Sequence, residues 1–219
     1  MEDAPRWTDR GAATRERIVR AAACIDFSRG IAGTSIEQVL SASNASRSQL
    51  YRYFSNKEEV IEAVVEFQVS AVLAHQRALL ESVDSLGGLR GWADAVVAMN
   101  QTGVGVAGCR LGVLGGQLAG WSGAARATLE DAFRTWESYL AAALRRMQER
   151  GELDAEADPA ELSTGIMAAL QGGLLLARAA RSQLPMRTAL GLAVDGVALA
   201  AARAARAELG AALSSGACS

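Results

Sequence analysis

Proline, cysteine, histidine and aromatic residues are all scarce in this sequence. Its 219 residues include three prolines, three cysteines and one histidine, and aromatic residues make up 5%. With so few prolines and 45 alanines, the composition predicts an all-α protein. One histidine and three widely spaced cysteines cannot supply a disulfide framework or an ordinary Cys/His zinc site. We therefore predict neither a metal nor a cofactor. The lack of a plausible Ser-His-acid set and of a phosphate-cradling glycine loop argues against an enzyme.

Long apolar runs are missing as well. The N-terminal segment MEDAPRWTDR is charged, so we expect no signal peptide. The longest uncharged run spans residues 162–177, and these 16 residues include three glycines. Such a run is too short and too polar to span a membrane. We therefore expect a soluble, reduced, cytoplasmic protein with no membrane partner.

Charge is distributed unevenly along the chain. Residues 1–57 hold nine basic and six acidic groups, whereas residues 58–219 hold 13 basic and 18 acidic groups. A basic N-terminal quarter on an acidic body predicts a small head that binds a polyanion.

The N-terminal quarter has the spacing of a helix-turn-helix unit. Apolar residues recur at helical spacing over residues 14–29. Ser35 followed by Gln38 forms a capping-box pattern that starts a short second helix. Asn44 tolerates the left-handed conformation of a tight turn, and Ser46 can then cap a third helix. A fourth helix is predicted over residues 56–80, with Ser55 as its cap. Two short helices joined by a four-residue turn favour DNA recognition.

The third helix is amphipathic in a way that suits a major groove. On a helical wheel, Leu50 and Phe54 share the core side, and the opposite side carries groups that can hydrogen-bond base edges. Those groups are Ser48, Gln49 and Arg52. Residues on the flanks, and residues at the starts of the second and fourth helices, are better placed for phosphates. The predicted DNA-contacting set is Ser35, Ser46, Arg47, Ser48, Gln49, Tyr51, Arg52, Tyr53 and Lys57.

These residues resemble those of a known family. The stretch SRSQLYRYFSNKE, which begins at Ser46, is similar to the S-K/R-x-x-L-Y-x-Y-F-x-x-K-E signature of TetR-type transcriptional repressors. The resemblance extends over residues 14–65. It implies that Tyr51, Tyr53 and Lys57 hold DNA phosphates. It also implies that the groove is faced by Arg47, Ser48, Gln49 and Arg52.

Two positions depart from the family pattern. Asn44-Ala45 stands where the family commonly has Gly-Val, and asparagine can still make the turn. Asp26 stands where the family commonly has phenylalanine, with Phe27 beside it, which predicts a local shift in the packing of the first helix.

Five further helical segments follow, punctuated by glycine and proline. They are predicted over residues 86–101, 110–119, 123–150, 159–181 and 186–209. The resulting domain plan is a flexible basic arm (1–13), a helix-turn-helix domain (14–65), a helical ligand-binding and dimerisation domain (66–210) and a disordered tail (211–219).

The body resembles the LmrA/YxaF-like group of the same family over residues 105–190. The segment GCRLG that begins at Gly108 carries this resemblance, as does AAAL at Ala141 followed by GEL at Gly151. The resemblance implies a dimer module that encloses a small-molecule pocket, in which ligand binding lowers DNA affinity.

The last two helices are rich in small and aliphatic residues, which predicts a homodimer through a four-helix bundle. The alternative is that these faces form an internal core. Aromatic, methionine and amide residues of the body are candidates for binding a small apolar or aromatic effector, although a methionine or aromatic residue at helical spacing is more often a core residue. This set is Trp92, Met99, Gln117, Trp121, Phe133, Trp136, Tyr139, Met167 and Gln171.

The sequence thus predicts a ligand-responsive repressor that binds double-stranded palindromic DNA as a homodimer. Two alternatives stay open. One is a small-molecule carrier or enzyme that uses the helical cavity, and the other is a DNA-binding regulator without an effector.

Overall fold

The computed structural model describes residues 8–29, 33–102, 105–106, 108–117 and 123–215. Helices dominate these residues, and the only sheet within them is one antiparallel pair of two-residue strands. This confirms the all-α prediction. The elements are α1 (Asp9–Arg29), α2 (Ile36–Ser43), α3 (Arg47–Tyr53), α4 (Lys57–Leu80), α5 (Leu86–Met99), β1 (Gln101–Thr102), β2 (Gly105–Val106), α6 (Arg110–Gln117), α7 (Gly123–Glu149), α8 (Pro159–Ala180) and α9 (Leu184–Ser215).

The chain divides into two compact units. The head unit comprises Met1–Val72 and Val113–Ala132, and the body unit comprises Leu73–Gly112 and Phe133–Ser219. The head unit therefore takes in the helix-turn-helix segment together with one later stretch of chain, Val113–Ala132.

The head unit has its own apolar core. Ile18 of α1, Leu50 of α3 and Phe54 after α3 are almost completely buried, together with Val39 and Val64 from α2 and α4. Burial of Leu50 and Phe54 confirms the orientation of α3 expected from the helical wheel. Truncating a core leucine typically costs about 2–5 kcal/mol, so this cluster fixes α3 on the head.

Local side-chain caps set the ends of α2 and α3. Both helices carry full capping boxes, with Ser35 and Gln38 at α2 and with Ser46 and Gln49 at α3. Asn44 ends α2 in the left-handed conformation, with φ 49° and ψ 41°. These features confirm the predicted helix-turn-helix geometry.

Two helix starts in the head differ from the prediction. The expected start of α1 at residue 14 is wrong, because α1 begins at Asp9. Thr8 is the reason, since its Oγ1 accepts a hydrogen bond from the Gly11 amide at 3.3 Å. The expected Ser55 cap of α4 is also wrong. Asn56 Oδ1 instead accepts the Glu59 amide at 2.9 Å.

Several sequence features lie outside the described residues. They include residues 1–7 of the predicted arm. The side chains of Asp26 and Phe27, where the first helix was expected to shift, also lie outside them.

Close packing of α8 on α9 dominates the body unit. Gly173 of α8 is buried, and a Cβ placed there would lie 2.8 Å from Met186 Cα and 3.2 Å from Ala189 Cβ. No larger residue fits at Gly173 unless the two helices separate.

Both ends of α9 depart from the prediction. α9 begins at Leu184, where Ser182 Oγ accepts the Leu184 amide at 3.2 Å, and it continues to Ser215. The predicted disordered tail is therefore wrong for residues 211–215. The alanine-rich sequence propagates the helix through Gly210, because one glycine costs only about 1 kcal/mol relative to alanine.

Within the described part of the chain, α8 is long and apolar enough to cross a membrane. Seven of its residues are buried in the body unit, among them Ile166, Leu170 and Leu174. Core helices of globular proteins share these properties, so one such helix is weak evidence for a membrane span.

Candidate nucleic-acid interface

The outward face of α3 carries the predicted base-contacting residues. Ser48, Gln49 and Arg52 are exposed, on the side opposite buried Leu50. Arg47 is exposed as well. This arrangement places amide, hydroxyl and guanidinium groups on one surface, which is the chemistry that base edges in a major groove require.

The two tyrosines of α3 differ in exposure. Tyr51 is 48% exposed, whereas Tyr53 is half-buried and packs against the head core. Both can offer a hydroxyl to a phosphate.

Gln49 has a double role. Its Oε1 accepts the Ser46 amide at 2.9 Å, and its own amide donates to Ser46 Oγ at 3.2 Å. The carbonyl oxygen of the Gln49 side chain is therefore engaged in capping α3. No bond within the described residues engages Nε2, so Gln49 presents donors to the outside.

Ser46 and Ser48 are linked by their hydroxyl groups. The two Oγ atoms lie 3.0 Å apart, and either can be the donor. Because Ser46 Oγ also accepts the Gln49 amide, Ser46 acts as a cap, and Ser48 is the more available hydroxyl of the two.

An ion pair joins the starts of α2 and α3. Arg47 Nη2 lies 2.8 Å from Glu37 Oε1, and the two side chains are 60% and 66% exposed. The pKa of Glu37 is lowered, first by a hydrogen bond from its own backbone amide and next by the hydrogen bond from Arg47. The carboxylate therefore stays ionised throughout the neutral range.

Groups suited to phosphates are grouped at helix starts. Lys57 opens α4 and is half-buried. The N-terminus of α4 is capped by Asn56. Glu59 also contributes, because its Oε2 accepts a hydrogen bond from the Ser55 amide at 2.8 Å. Ser35, also half-buried, uses its Oγ to accept the Gln38 amide at 3.3 Å.

Sequence reasoning missed two contacts of this surface. Glu37 lies ten residues before its partner Arg47, across the turn, where no helical period connects them. Arg17 of α1 donates from Nε to the Ser43 carbonyl oxygen at 2.8 Å and so ties α1 to the end of α2. The family signature had singled out Arg47 but not its partner Glu37, and the basic composition of the head was the only sequence signal for Arg17.

The two tryptophans of the body unit are both buried, but they are bonded differently. Trp92 donates from Nε1 to Gln76 Oε1 at 2.9 Å, and it is 2% exposed. Trp136 is 3% exposed, and its Nε1 has no hydrogen-bond partner within the described residues. An unpartnered buried donor is uncommon in folded proteins.

The other predicted effector residues are scattered in exposure. Met99 is 43% exposed and contacts His75, Phe133 and Tyr139 are half-buried, and Met167 is buried. The side chain of Gln117 and the whole of Trp121 lie outside the described residues.

Gln171 lies against sulfur atoms. Its Nε2 is 3.6 Å from Cys109 Sγ and 3.7 Å from Met167 Sδ. Burial raises the pKa of the Cys109 thiol, which favours a packed thiol over a reactive thiolate.

Two cavities are described, and head residues line both. An open cleft of about 700 Å³ lies between α1 and α2, lined by Arg17, Arg20, Cys24 and Gln38 among others. A small apolar pocket of about 20 Å³ lies beside Val39 and Val60. The predicted effector residues line neither of them.

A helix-turn-helix unit that exposes a polar, cationic helix face, followed in the chain by further helices, defines the class of DNA-binding regulators. Residues 16–64 match the family model "Bacterial regulatory proteins, tetR family". Residues 85–192 match "Tetracyclin repressor-like, C-terminal domain". The chain belongs to the TetR family of transcriptional regulators, which are not enzymes.

Individual relatives agree with this assignment. The uncharacterized HTH-type transcriptional regulator YxaF of Bacillus subtilis is 27% identical over 177 residues, which are 79% of this chain and 89% of that protein. The HTH-type transcriptional regulator LmrA of Bacillus subtilis is 25% identical over 175 residues, 79% of this chain and 90% of that protein. The reduced form of E. coli NemR has the same fold, with a TM-score of 0.77 at 21% identity, over 83% of this chain and 95% of that chain.

Proposed function

We propose that this TetR-family regulator is a cytoplasmic repressor that binds a palindromic operator as a homodimer and is released by a small apolar or aromatic effector. The observation that carries the DNA-binding part is the outward face of α3. Ser48, Gln49 and Arg52 are exposed there, while buried Leu50 anchors the helix on the head core.

The outer faces of α8 and α9 support a homodimer. Five large apolar side chains on the described parts of these two helices are exposed to solvent. Their exposed fractions are 70% for Leu175, 59% for Leu176, 58% for Leu184, 69% for Leu192 and 68% for Leu199. Exposed large apolar side chains concentrated on two helices are typical of a protein interface.

Exposed glycines on the same two helices also support a homodimer. A Cβ added at Gly165, Gly172, Gly191 or Gly196 would meet nothing within 4 Å. Each glycine costs about 1 kcal/mol of helix stability relative to alanine. In contrast to Gly173, packing among the described residues does not require them. A closely approaching helix of a second copy would use them.

Trp136 supports an effector site in the body unit. Its buried Nε1 lacks a partner within the described residues, and Met167 and Gln171 are further candidates in the same unit. An aromatic or apolar effector with one acceptor atom would satisfy the indole while burying its remaining surface.

α4 is the element through which such a site would act on the head. α4 begins in the head unit with Lys57 and ends in the body unit at Leu80. Arg146 of α7 fixes that end by donating to the carbonyl oxygens of Leu80 at 2.7 Å and Val83 at 3.0 Å. An effector that binds two arrangements of this end with different affinities shifts the population between them.

The test is fluorescence anisotropy with the DNA immediately upstream of the gene and a scrambled fragment, at two salt concentrations. We expect a preference for the native fragment that persists at the higher salt concentration, because base contacts depend less on counterion release than phosphate contacts do. Equal, salt-sensitive binding to both fragments would contradict sequence-specific repression.

A panel of apolar and aromatic compounds added to the same complex tests the effector. We expect at least one compound to release the DNA. Unchanged operator affinity across the panel would favour the effector-independent regulator instead.

A further inference from the structure

The Glu37–Arg47 pair constrains a residue that the DNA surface depends on. Arg47 opens α3, and its Nη2 atom is held 2.8 Å from the carboxylate of Glu37 on α2. With both side chains more than half exposed, such a pair contributes little to stability. Its consequence is therefore geometric, because it limits where the guanidinium fork can point.

An unrestrained arginine on this surface could bind either a phosphate or a base. A neighbouring carboxylate disfavours the approach of a phosphate by charge repulsion. The same carboxylate leaves the remaining N–H groups of the guanidinium available and orients its plane. A bidentate arginine bond to O6 and N7 of guanine is the commonest specific contact in a major groove.

Gln49, on the same helix as Arg47, also presents a hydrogen-bond donor. A bidentate bond from glutamine to adenine needs both the side-chain oxygen and the side-chain nitrogen. The oxygen of Gln49 is engaged by the Ser46 amide at 2.9 Å. With the cap intact, Gln49 offers only Nε2, which suits the acceptor atoms of guanine or thymine.

We propose that Glu37 is a positioning residue that sets Arg47 on a guanine in each operator half-site, on a recognition face that otherwise offers mainly donors. This inference rests on the proposed function of operator binding. It assigns to an acidic residue of α2 a part in specificity, and it names the kind of base edge that α3 selects.

The experiment compares full-length wild type, Glu37→Gln and Glu16→Gln in selection from a pool of DNA duplexes with a randomised central segment. Glu16→Gln is the matched control, because it also replaces an exposed carboxylate on the head and breaks an ion pair, with Arg20 at 2.6 Å within α1. Affinities for the selected duplex and for its single-base variants are then measured by anisotropy.

We expect wild type to select a guanine at one position of each half-site. Replacing that guanine by adenine should weaken wild-type binding about tenfold. For Glu37→Gln the same replacement should weaken binding by less than about threefold. Glu16→Gln should behave like wild type, and Glu37→Asp should recover part of the discrimination.

Three outcomes would overturn the inference. Glu37→Gln could bind all duplexes more tightly by the same factor, which would reduce Glu37 to a repulsive charge. The selected site could lack the guanine. Glu37→Gln could also keep the full discrimination of wild type. Failure of the proposed function has a different signature, since wild type itself would then enrich no sequence from the pool.

Discussion

The head and body units differ in how their functional groups are held. In the head, neighbouring residues orient the exposed polar side chains, as Ser46 orients Gln49 through the α3 cap. In the body, the candidate groups are buried, and contacts distant in the chain decide their state. Trp92 and Trp136 illustrate this, because they have nearly equal burial but only Trp92 has a partner, Gln76, within the described residues. Local geometry thus orients the candidate DNA-contacting side chains, whereas tertiary packing sets the surroundings of the candidate effector residues.

The body should show the largest single effect, at the outer face of α9. Leu192→Glu places a charge on the proposed dimer interface. Each unpaired charge buried there opposes association, so we expect the dimer to weaken by at least about 3 kcal/mol. Sedimentation velocity at several protein concentrations checks this.

Met99→Glu provides the control for this change, because Met99 is an exposed large apolar residue outside α8 and α9. It should leave the dimer intact. A dimer that survives Leu192→Glu would move the interface elsewhere.

The two buried tryptophans of the body unit should show the next largest effect, on the free energy of unfolding. Trp92→Phe removes the donor to Gln76 and leaves a buried oxygen unsatisfied, which should lower the free energy of unfolding by about 1–3 kcal/mol. Trp136→Phe removes a donor that has no partner within the described residues, so it should destabilise less than Trp92→Phe, because the two changes share only the cost of the lost ring volume. Urea denaturation of the effector-free protein compares the two. Equal destabilisation by both changes would show that Trp136 Nε1 is satisfied.

Gln49→Glu tests whether the outward donors of Gln49 contribute to DNA specificity. Glutamate keeps the capping box of α3 but removes the outward donors. We expect the ratio of operator affinity to random-DNA affinity to fall about tenfold.

Gln38→Glu adds the same charge at the equivalent cap of α2 and is the control. It should leave the ratio near the wild-type value. A matching loss in both variants would mean that added charge, rather than lost donors, explains the effect.

Lys57→Ala should have the smallest effect on specificity. The lost phosphate contact should weaken operator and random DNA equally, by a few-fold at most. The slope of log affinity against log salt concentration should fall by about one. A selective loss on the operator alone would instead assign Lys57 to base contacts.

Features of the head that depend on residues close together in the chain could be predicted from the sequence, whereas contacts between distant residues could not. The caps at Ser35 and Ser46, the turn at Asn44 and the buried side of α3 all depend on residues within four positions of each other, and all were predicted. The Asn56 cap was missed because Ser55 and Asn56 are adjacent and both are good caps. The Glu37–Arg47 pair was missed because it forms only once the turn brings α2 and α3 together.

The body was less predictable for a physical reason. An apolar residue at helical spacing has the same pattern whether it faces a core, a partner or a cavity. The sequence could not distinguish exposed Leu192 from buried Leu190, because α9 is apolar around much of its circumference. It also could not show that Trp92 finds Gln76 while Trp136 finds no partner among the described residues.

Operator recognition, as proposed, requires that α3 contacts bases and that Arg47 is one of the residues that do so. The most direct measurement is the affinity of wild type and Arg47→Ala for the upstream fragment and for a scrambled fragment, by anisotropy at one fixed salt concentration. We expect Arg47→Ala to lose about tenfold or more in affinity for the upstream fragment and much less for the scrambled one. Equal losses of affinity for both fragments would make Arg47 a phosphate contact and would rule out its role in reading bases.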